Sequence, residues 1–116
     1  MRLLVCGGRD FDDFEVVNEE LTWLSGSHHI EVIIHGGARG ADTLAGEWAK
    51  LCRIPVQVFR AQWGAHGRSA GPVRNRQMIV EGKPDFVLAF PGGRGTANMI
   101  EQAREAGITV KEVLCD

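Results

Sequence analysis

The sequence has no apolar stretch near the roughly 18 residues needed to cross a bilayer, which argues against a membrane-spanning helix. Its three cysteines, Cys6, Cys52 and Cys115, are odd in number and widely spaced. That spacing argues against a disulfide framework and a zinc pattern, so a reducing, cytoplasmic setting is expected. His28 and His29 are adjacent and not at metal-ligand spacing, so no metal is expected. There is no Gly-x-x-x-x-Gly-Lys-Ser/Thr run, which excludes a P-loop ATPase, and no Gly-x-Ser-x-Gly nucleophile elbow. Aromatic residues make up only 7%, and 13 Lys+Arg face 15 Asp+Glu for a net charge of -2. Both facts argue against nucleic acid as a partner, because such sites combine counterion release with stacking platforms. No charge run, repeat or linker interrupts the 116 residues, which read as one domain over 1–116. The opening residues Met1–Cys6 run directly into a glycine loop and read as a first strand, not a signal peptide.

What the chain does have is glycine in a pattern. Three apolar runs end in Gly-Gly pairs: Leu3–Cys6 before Gly7-Gly8-Arg9-Asp10, Val32–His35 before Gly36-Gly37-Ala38-Arg39-Gly40, and Val87–Phe90 before Pro91-Gly92-Gly93-Arg94-Gly95-Thr96. Each run reads as a buried strand and each loop as the opening of a helix. Glycine admits sharp bends and lets a ligand approach the main chain. A helix start presents unpaired N–H groups and a partial positive charge, which suit phosphate. Arg9, Arg39, Arg68, Arg74, Arg76 and Arg94 lie in or just after these loops. Their planar donor forks match phosphate geometry, so a small anionic ligand is expected.

Strands are expected at about 2–6, 30–35, 56–60, 85–90 and 108–114. Helices are expected at about 12–25, 40–53, 71–81 and 95–106. Asp12 or Asp13 would cap the first helix and Gly26 would end it; Ser69 would cap the third and Gly82 would end it; Gly107 would end the fourth. The inward residues would be Phe14, Val17, Leu21 and Leu24, then Leu44, Trp48 and Leu51, then Ala97, Ile100 and Ala103. A long loop fills about 61–70. This alternation implies an α/β fold: a three-layer Rossmann-like sandwich of five parallel strands in the order 3-2-1-4-5 with about four helices. The ligand would then bind beyond the carboxyl ends of the first and fourth strands, where the order reverses.

The run Pro91-Gly92-Gly93-Arg94-Gly95-Thr96 resembles the Pro-Gly-Gly-x-Gly-Thr loop of the SLOG superfamily. Gly7–Asp10, His35–Asp42 and Ala70-Gly71-Pro72-x-Arg74-Asn75-x-x-Met78 are similar in order and spacing to its compact YspA-like branch. The resemblance covers nearly the whole chain. It implies a domain for nucleotides or nucleotide-derived ligands, needing no cofactor beyond that ligand. Some relatives, the Lonely Guy phosphoribohydrolases, cleave an N-glycosidic bond; others are proposed sensors; the DNA-processing protein DprA is a further relative. Pairing of two copies through their helices is the expectation by analogy.

Gly92, Gly93 and Gly95 would form a phosphate cradle, with the Thr96 hydroxyl as a further donor. Asp10 fits two roles equally, a ribose acceptor or a helix cap. Asp42 fits the first turn of a helix on dipole grounds alone. His35 reads as a hydrogen-bonded structural histidine. The resemblance aligns Arg74 with an active-site arginine. Arg76, about 200° further around the helix, reads as a surface residue, and Trp63 as a loop residue that either pins the loop to the core or stacks on a base and covers the pocket. The resemblance also places a catalytic glutamate three residues after the threonine, where this chain has Met99. Methionine neither stabilises an oxocarbenium-like centre nor activates water. The leading expectation is therefore binding without turnover. An N-glycosidic hydrolase using Asp10 or Asp42 is the alternative, and single-stranded DNA binding the third.

Overall fold

The computed structural model describes residues 1–114, so the reading of Cys115 lies outside the described residues. Five parallel strands, β1 (Arg2–Cys6), β2 (Val32–His35), β3 (Val56–Val58), β4 (Phe86–Ala89) and β5 (Thr109–Glu112), form one sheet in the order 3-2-1-4-5. Long helices α1 (Phe14–Ser27), α2 (Ala41–Leu51), α4 (Ala70–Gly82) and α5 (Arg94–Glu105) join them. A one-turn helix α3 (Trp63–His66) and a 3-10 turn (Gly67–Ser69) occupy the segment expected to be loop.

The central strands read as unbroken apolar runs because both faces of the sheet are covered. Leu3 and Val5 face α1 and α2, in a core with Val17, Leu21, Leu24, Ile33, Trp48 and Phe90. Leu4 and Cys6 face α4 and α5, in a second core with Ile34, Met78, Val87, Met99 and Ala103. Each fully buried Leu, Ile or Met contributes roughly 1.5–3 kcal/mol from apolar burial. Between α2 and α4 the chain crosses to the other face of the sheet. That crossing makes β1 and β4 neighbours, with Leu3 beside Phe86 and Cys6 beside Ala89.

The helix ends depart from expectation in instructive ways. Asp13 caps α1, its carboxylate accepting from the Val16 N–H at 3.2 Å. Gly26 stays helical, and the turn closes at the extended His28. Ser69 precedes α4 but makes no side-chain cap bond, since the 3-10 turn leads straight into the helix. Lys83, not Gly82, takes the left-handed position after α4 (φ 50°). Gly107 follows α5 with φ 77°, as glycine at a helix stop should. Leu51, the last residue of α2, is 74% exposed. In α5 the buried line is Thr96, Met99 and Ala103, and Ala97 faces solvent. Only α2 and α5 start directly after their glycine loops, since α1 begins six residues after Gly8.

Candidate functional site

At the carboxyl edge of the sheet, the loops after β1, β2 and β4 are joined by their own main chain. Gly8 donates its N–H to the Pro91 carbonyl at 2.9 Å, and its own carbonyl accepts from Ala41 at 3.2 Å. A Cβ on Gly8 would sit 2.9 Å from that Pro91 oxygen. Gly40 has φ 79°, and a side chain there would strike the Gly8 carbonyl. These glycines allow close loop packing. Between them and α4 lies a cleft of about 360 Å³. Its floor is Cys6 and Met78, and its walls come from Gly7–Arg9, Ala38, Trp63, Arg74 and the start of α5.

The start of α5 opens on this cleft. Gly93 is its N-cap, and no side chain caps the first turn. Beyond its chain neighbours and the backbone of its own helix, a Cβ on Gly93 or Gly95 would meet no protein atom within 4 Å, and neither residue has a positive φ. Internal packing therefore does not require glycine at these two positions. Gly92 differs, because a Cβ there would fall on the Thr96 hydroxyl and lie 2.7 Å from the Gly8 nitrogen. Thr96 is buried, and its hydroxyl forms no hydrogen bond among the described residues. The free N–H groups and dipole of α5 thus face a space edged by glycine.

Arg74 stands across the cleft, fixed by its neighbours. Its Nε donates to Asn75 Oδ1 at 3.1 Å, and its Nη1 donates to the Gly36 carbonyl at 2.9 Å. Asn75 is 3% exposed and donates to the Gly95 carbonyl at 3.1 Å, tying α4 to the first turn of α5. Burial pushes the Arg74 guanidinium below its ordinary pKa; the Asp42 carboxylate opposes that shift and Arg9 adds to it. Asp42 is 6% exposed, and its Oδ2 accepts from the Gly36 and Ala38 N–H groups at 3.1 and 3.2 Å. Burial raises its pKa, against the pull of the Ala38 N–H, Arg74 and the Gly36 N–H. Asp42 is thus the clasp of the β2–α2 loop.

His35 lies in the same corner. Its Nδ1 accepts from the Gly37 N–H at 2.9 Å, so that nitrogen carries no proton. Burial, with Arg60 and Arg74 nearby, lowers its pKa to about 4. It is a neutral structural histidine, as expected. The Cys6 thiol is pushed up to about 12, chiefly by burial, which makes it a poor nucleophile.

Gly7, Gly8, Arg9, Ala38, Asp42, Arg74, Gly93, Gly95 and Thr96 line this cleft. Gly36 and Gly37 line an adjoining depression, while Pro91 and Gly92 lie on the other side of the β4–α5 loop, towards Glu112 and Leu114. Gly40 braces the loops beneath. Asp10 points to solvent beside Arg39, 3.6 Å away, and caps no helix. Arg76 is exposed. Met99, at the position of the relatives' glutamate, is 1% exposed and belongs to the core. Of the two roles open to Trp63, pinning to the core does not fit: it is 50% exposed on the cleft rim, with the Arg9 guanidinium 5.8 Å from its ring centre.

Cys6, Asn75 and Arg60 also reach this region. Asn75 stands in the Pro-x-Arg-Asn pattern, which was the available signal for it. Cys6 ends an apolar strand and Arg60 follows one, and neither position carries a distinguishing pattern.

A relative encoded by Mycobacterium phage D29, the Gene 61 protein, is 40% identical over 117 residues, which cover 94% of this chain and 93% of the relative. A family model for the YspA, cpYpsA-related SLOG family matches residues 1–66, through the β1 and β2 glycine loops and on to α3. With its glycine loops braced at the carboxyl edge of a 3-2-1-4-5 sheet, the chain belongs to the YspA, cpYpsA-related SLOG family.

Proposed function

We propose that this protein binds a nucleotide or nucleotide-derived small molecule, with a phosphate against the first turn of α5, and acts as a sensor of it without turning it over. Membership of the SLOG family fits a nucleotide-related ligand. The observation that carries the reading is the pair Gly93 and Gly95. They border the cleft at an uncapped helix start, in positions where packing would accept a side chain. Gly26 and Gly64 are equally open, so what singles out Gly93 and Gly95 is their place on the cleft at a helix start, where a ligand lying against the main chain accounts for glycine. Arg74 faces the same space as a fixed cation.

The placement of the acids supports binding over hydrolysis. Asp10 is turned to solvent, and one oxygen of Asp42 is committed to two backbone N–H groups. Met99 supplies no carboxylate. A thermal-shift screen with nucleotides, NAD, ADP-ribose and cyclic dinucleotides, followed by mass spectrometry, tests this. A ligand at about 100 times its Kd adds roughly 2.7 kcal/mol of stability. The expected result is a shift with the ligand recovered intact, lost in a folded Gly93→Val variant. Free base in the mixture would make the protein a hydrolase instead. Undiminished binding by Gly93→Val would remove the α5 assignment.

A further inference from the structure

The cleft is not the only space its walls enclose. Arg9, Ala38, Trp63 and Arg74 line it on one side and a second compartment of about 530 Å³ on the other. The floor of that compartment is the Gly36–Ala38 loop, and Arg39 and Arg60 complete its edge. Four arginines therefore meet there, and no residue lining the compartment carries a carboxylate. The salt bridges among the described residues leave Arg9, Arg60 and Arg74 unused. Arg39 has only the exposed, 3.6 Å approach to Asp10, a kind of pair that contributes little. Arg60 donates one nitrogen to the Gly37 carbonyl at 3.1 Å, which anchors the guanidinium and leaves other donors open. The buried Asp42 carboxylate offsets part of the Arg74 charge from the cleft side, and four cations against it and the exposed Asp10 still leave a local field that attracts anions. Planar guanidinium forks favour phosphate among them. The buried His35 lies within that field, since Arg60 and Arg74 both disfavour its protonation.

Resting on the nucleotide reading above, we propose that the ligand carries two separated phosphate groups, one held against α5 and the other in the compartment of Arg39 and Arg60. The class is a nucleoside bisphosphate or a cyclic dinucleotide, not a mononucleotide. Either compartment alone falls in the lower to middle part of the ~300–1,000 Å³ range of small-molecule sites, and the two together approach its top. The wall they share carries Trp63, whose half-exposed ring offers a surface for the part of the ligand between the phosphates.

Titration calorimetry at fixed ionic strength tests this with AMP, adenosine 3′,5′-bisphosphate and cyclic di-AMP on the parent, Arg60→Ala and Arg39→Ala. The tighter of the two-phosphate probes should bind the parent at least tenfold more strongly than AMP. Both variants should weaken that probe at least fivefold and change AMP less than twofold. Arg39→Ala guards against Arg60→Ala loosening the Gly37 loop, because the Arg39 side chain is largely exposed. Equal parent affinities for AMP and the two-phosphate probes would overturn the inference while leaving the nucleotide reading intact. So would variants that weaken AMP as much as the other probes. Failure of all three probes, AMP included, would overturn the nucleotide reading and this inference with it.

Discussion

Replacing Gly95 by alanine separates what the fold needs from what a ligand needs. Gly95 lies in the first turn of α5, and a Cβ there would meet no protein atom within 4 Å beyond its chain neighbours and its own helix backbone. Its φ is not positive, so alanine fits the existing backbone. Alanine in place of glycine within a helix stabilises by about 0.5–1 kcal/mol, partly by restricting the unfolded chain. For a chain of this size that corresponds to a Tm rise of about 2–5 °C. The new methyl group would border the cleft where the proposed phosphate meets the helix. The expected pair of results is therefore a more stable protein with at least tenfold weaker nucleotide binding, a loss of about 1.4 kcal/mol. Urea denaturation and calorimetry on one preparation measure both. Gly92→Ala is the contrast, since its methyl group would collide with Thr96 and the Gly8 nitrogen. It should lower stability by about 1–3 kcal/mol. A Gly95→Ala protein that binds as tightly as the parent would refute the argument, and so would one that is markedly less stable.

Two further outcomes follow from buried groups. His35 has a folded pKa of about 4 against an ordinary 6.5, so the folded state favours its neutral form. The stability this contributes is complete above about pH 6.5, falls as the pH drops, and is spent near pH 4, an upper bound of about 3 kcal/mol. Burial raises the Asp42 pKa, which acts in the opposite sense on acidification, so the comparison must be with a variant. His35→Asn keeps an acceptor for the Gly37 N–H but does not titrate. Its unfolding free energy should change less between pH 6.5 and 4 than the parent's, and parallel curves would contradict the assignment. Met99→Glu would place a carboxylate among Leu4, Ile34, Val87 and Ala103. It should cost about 3–5 kcal/mol by denaturant melting and release no base from nucleotides. A stable variant that does release base would show that this position reaches the cleft.

The sheet was legible because strands covered on both faces must be apolar throughout, as Leu3–Cys6 and Val87–Phe90 are. The order of strands was expected from the doubly wound class, in which right-handed crossovers combine with a reversal of direction along the sheet. Helix phase was harder to read in α5. Its first turn is Arg-Gly-Thr-Ala, with too few apolar residues to fix the inward line: Thr96 and Met99 are buried and the expected Ala97 is exposed, while the expected Ile100 is half-buried against the core. The position of Met99 was legible only as a departure from a family pattern. That it is a packed core residue follows from the same helix rotation. Asp42 was readable as a helix-start acid, but its two loop N–H partners depend on the chain turning back after β2. Asp10 and Asp42 are equally plausible as acids in the sequence, and only the tertiary path turns one outward and the other in. Trp63 sits in the segment expected to be a long loop, and the single helical turn that aims it at the rim has no periodicity to reveal it.

The knot at Gly8 bears on how binding here would be reported. One glycine residue, through its N–H and its carbonyl, joins the loops after β1, β2 and β4, so none of the three can swing without breaking main-chain bonds to another. A ligand entering the cleft has little loop ordering left to do, so association should be fast and largely free of a slow closing step. The same rigidity removes hinge closure of these loops as a way to broadcast occupancy. A downstream protein would instead recognise a composite epitope, formed by the outward edge of the bound molecule and the Trp63 rim beside it. Selectivity in signalling would then reside in a ternary complex and not in an altered conformation of this chain.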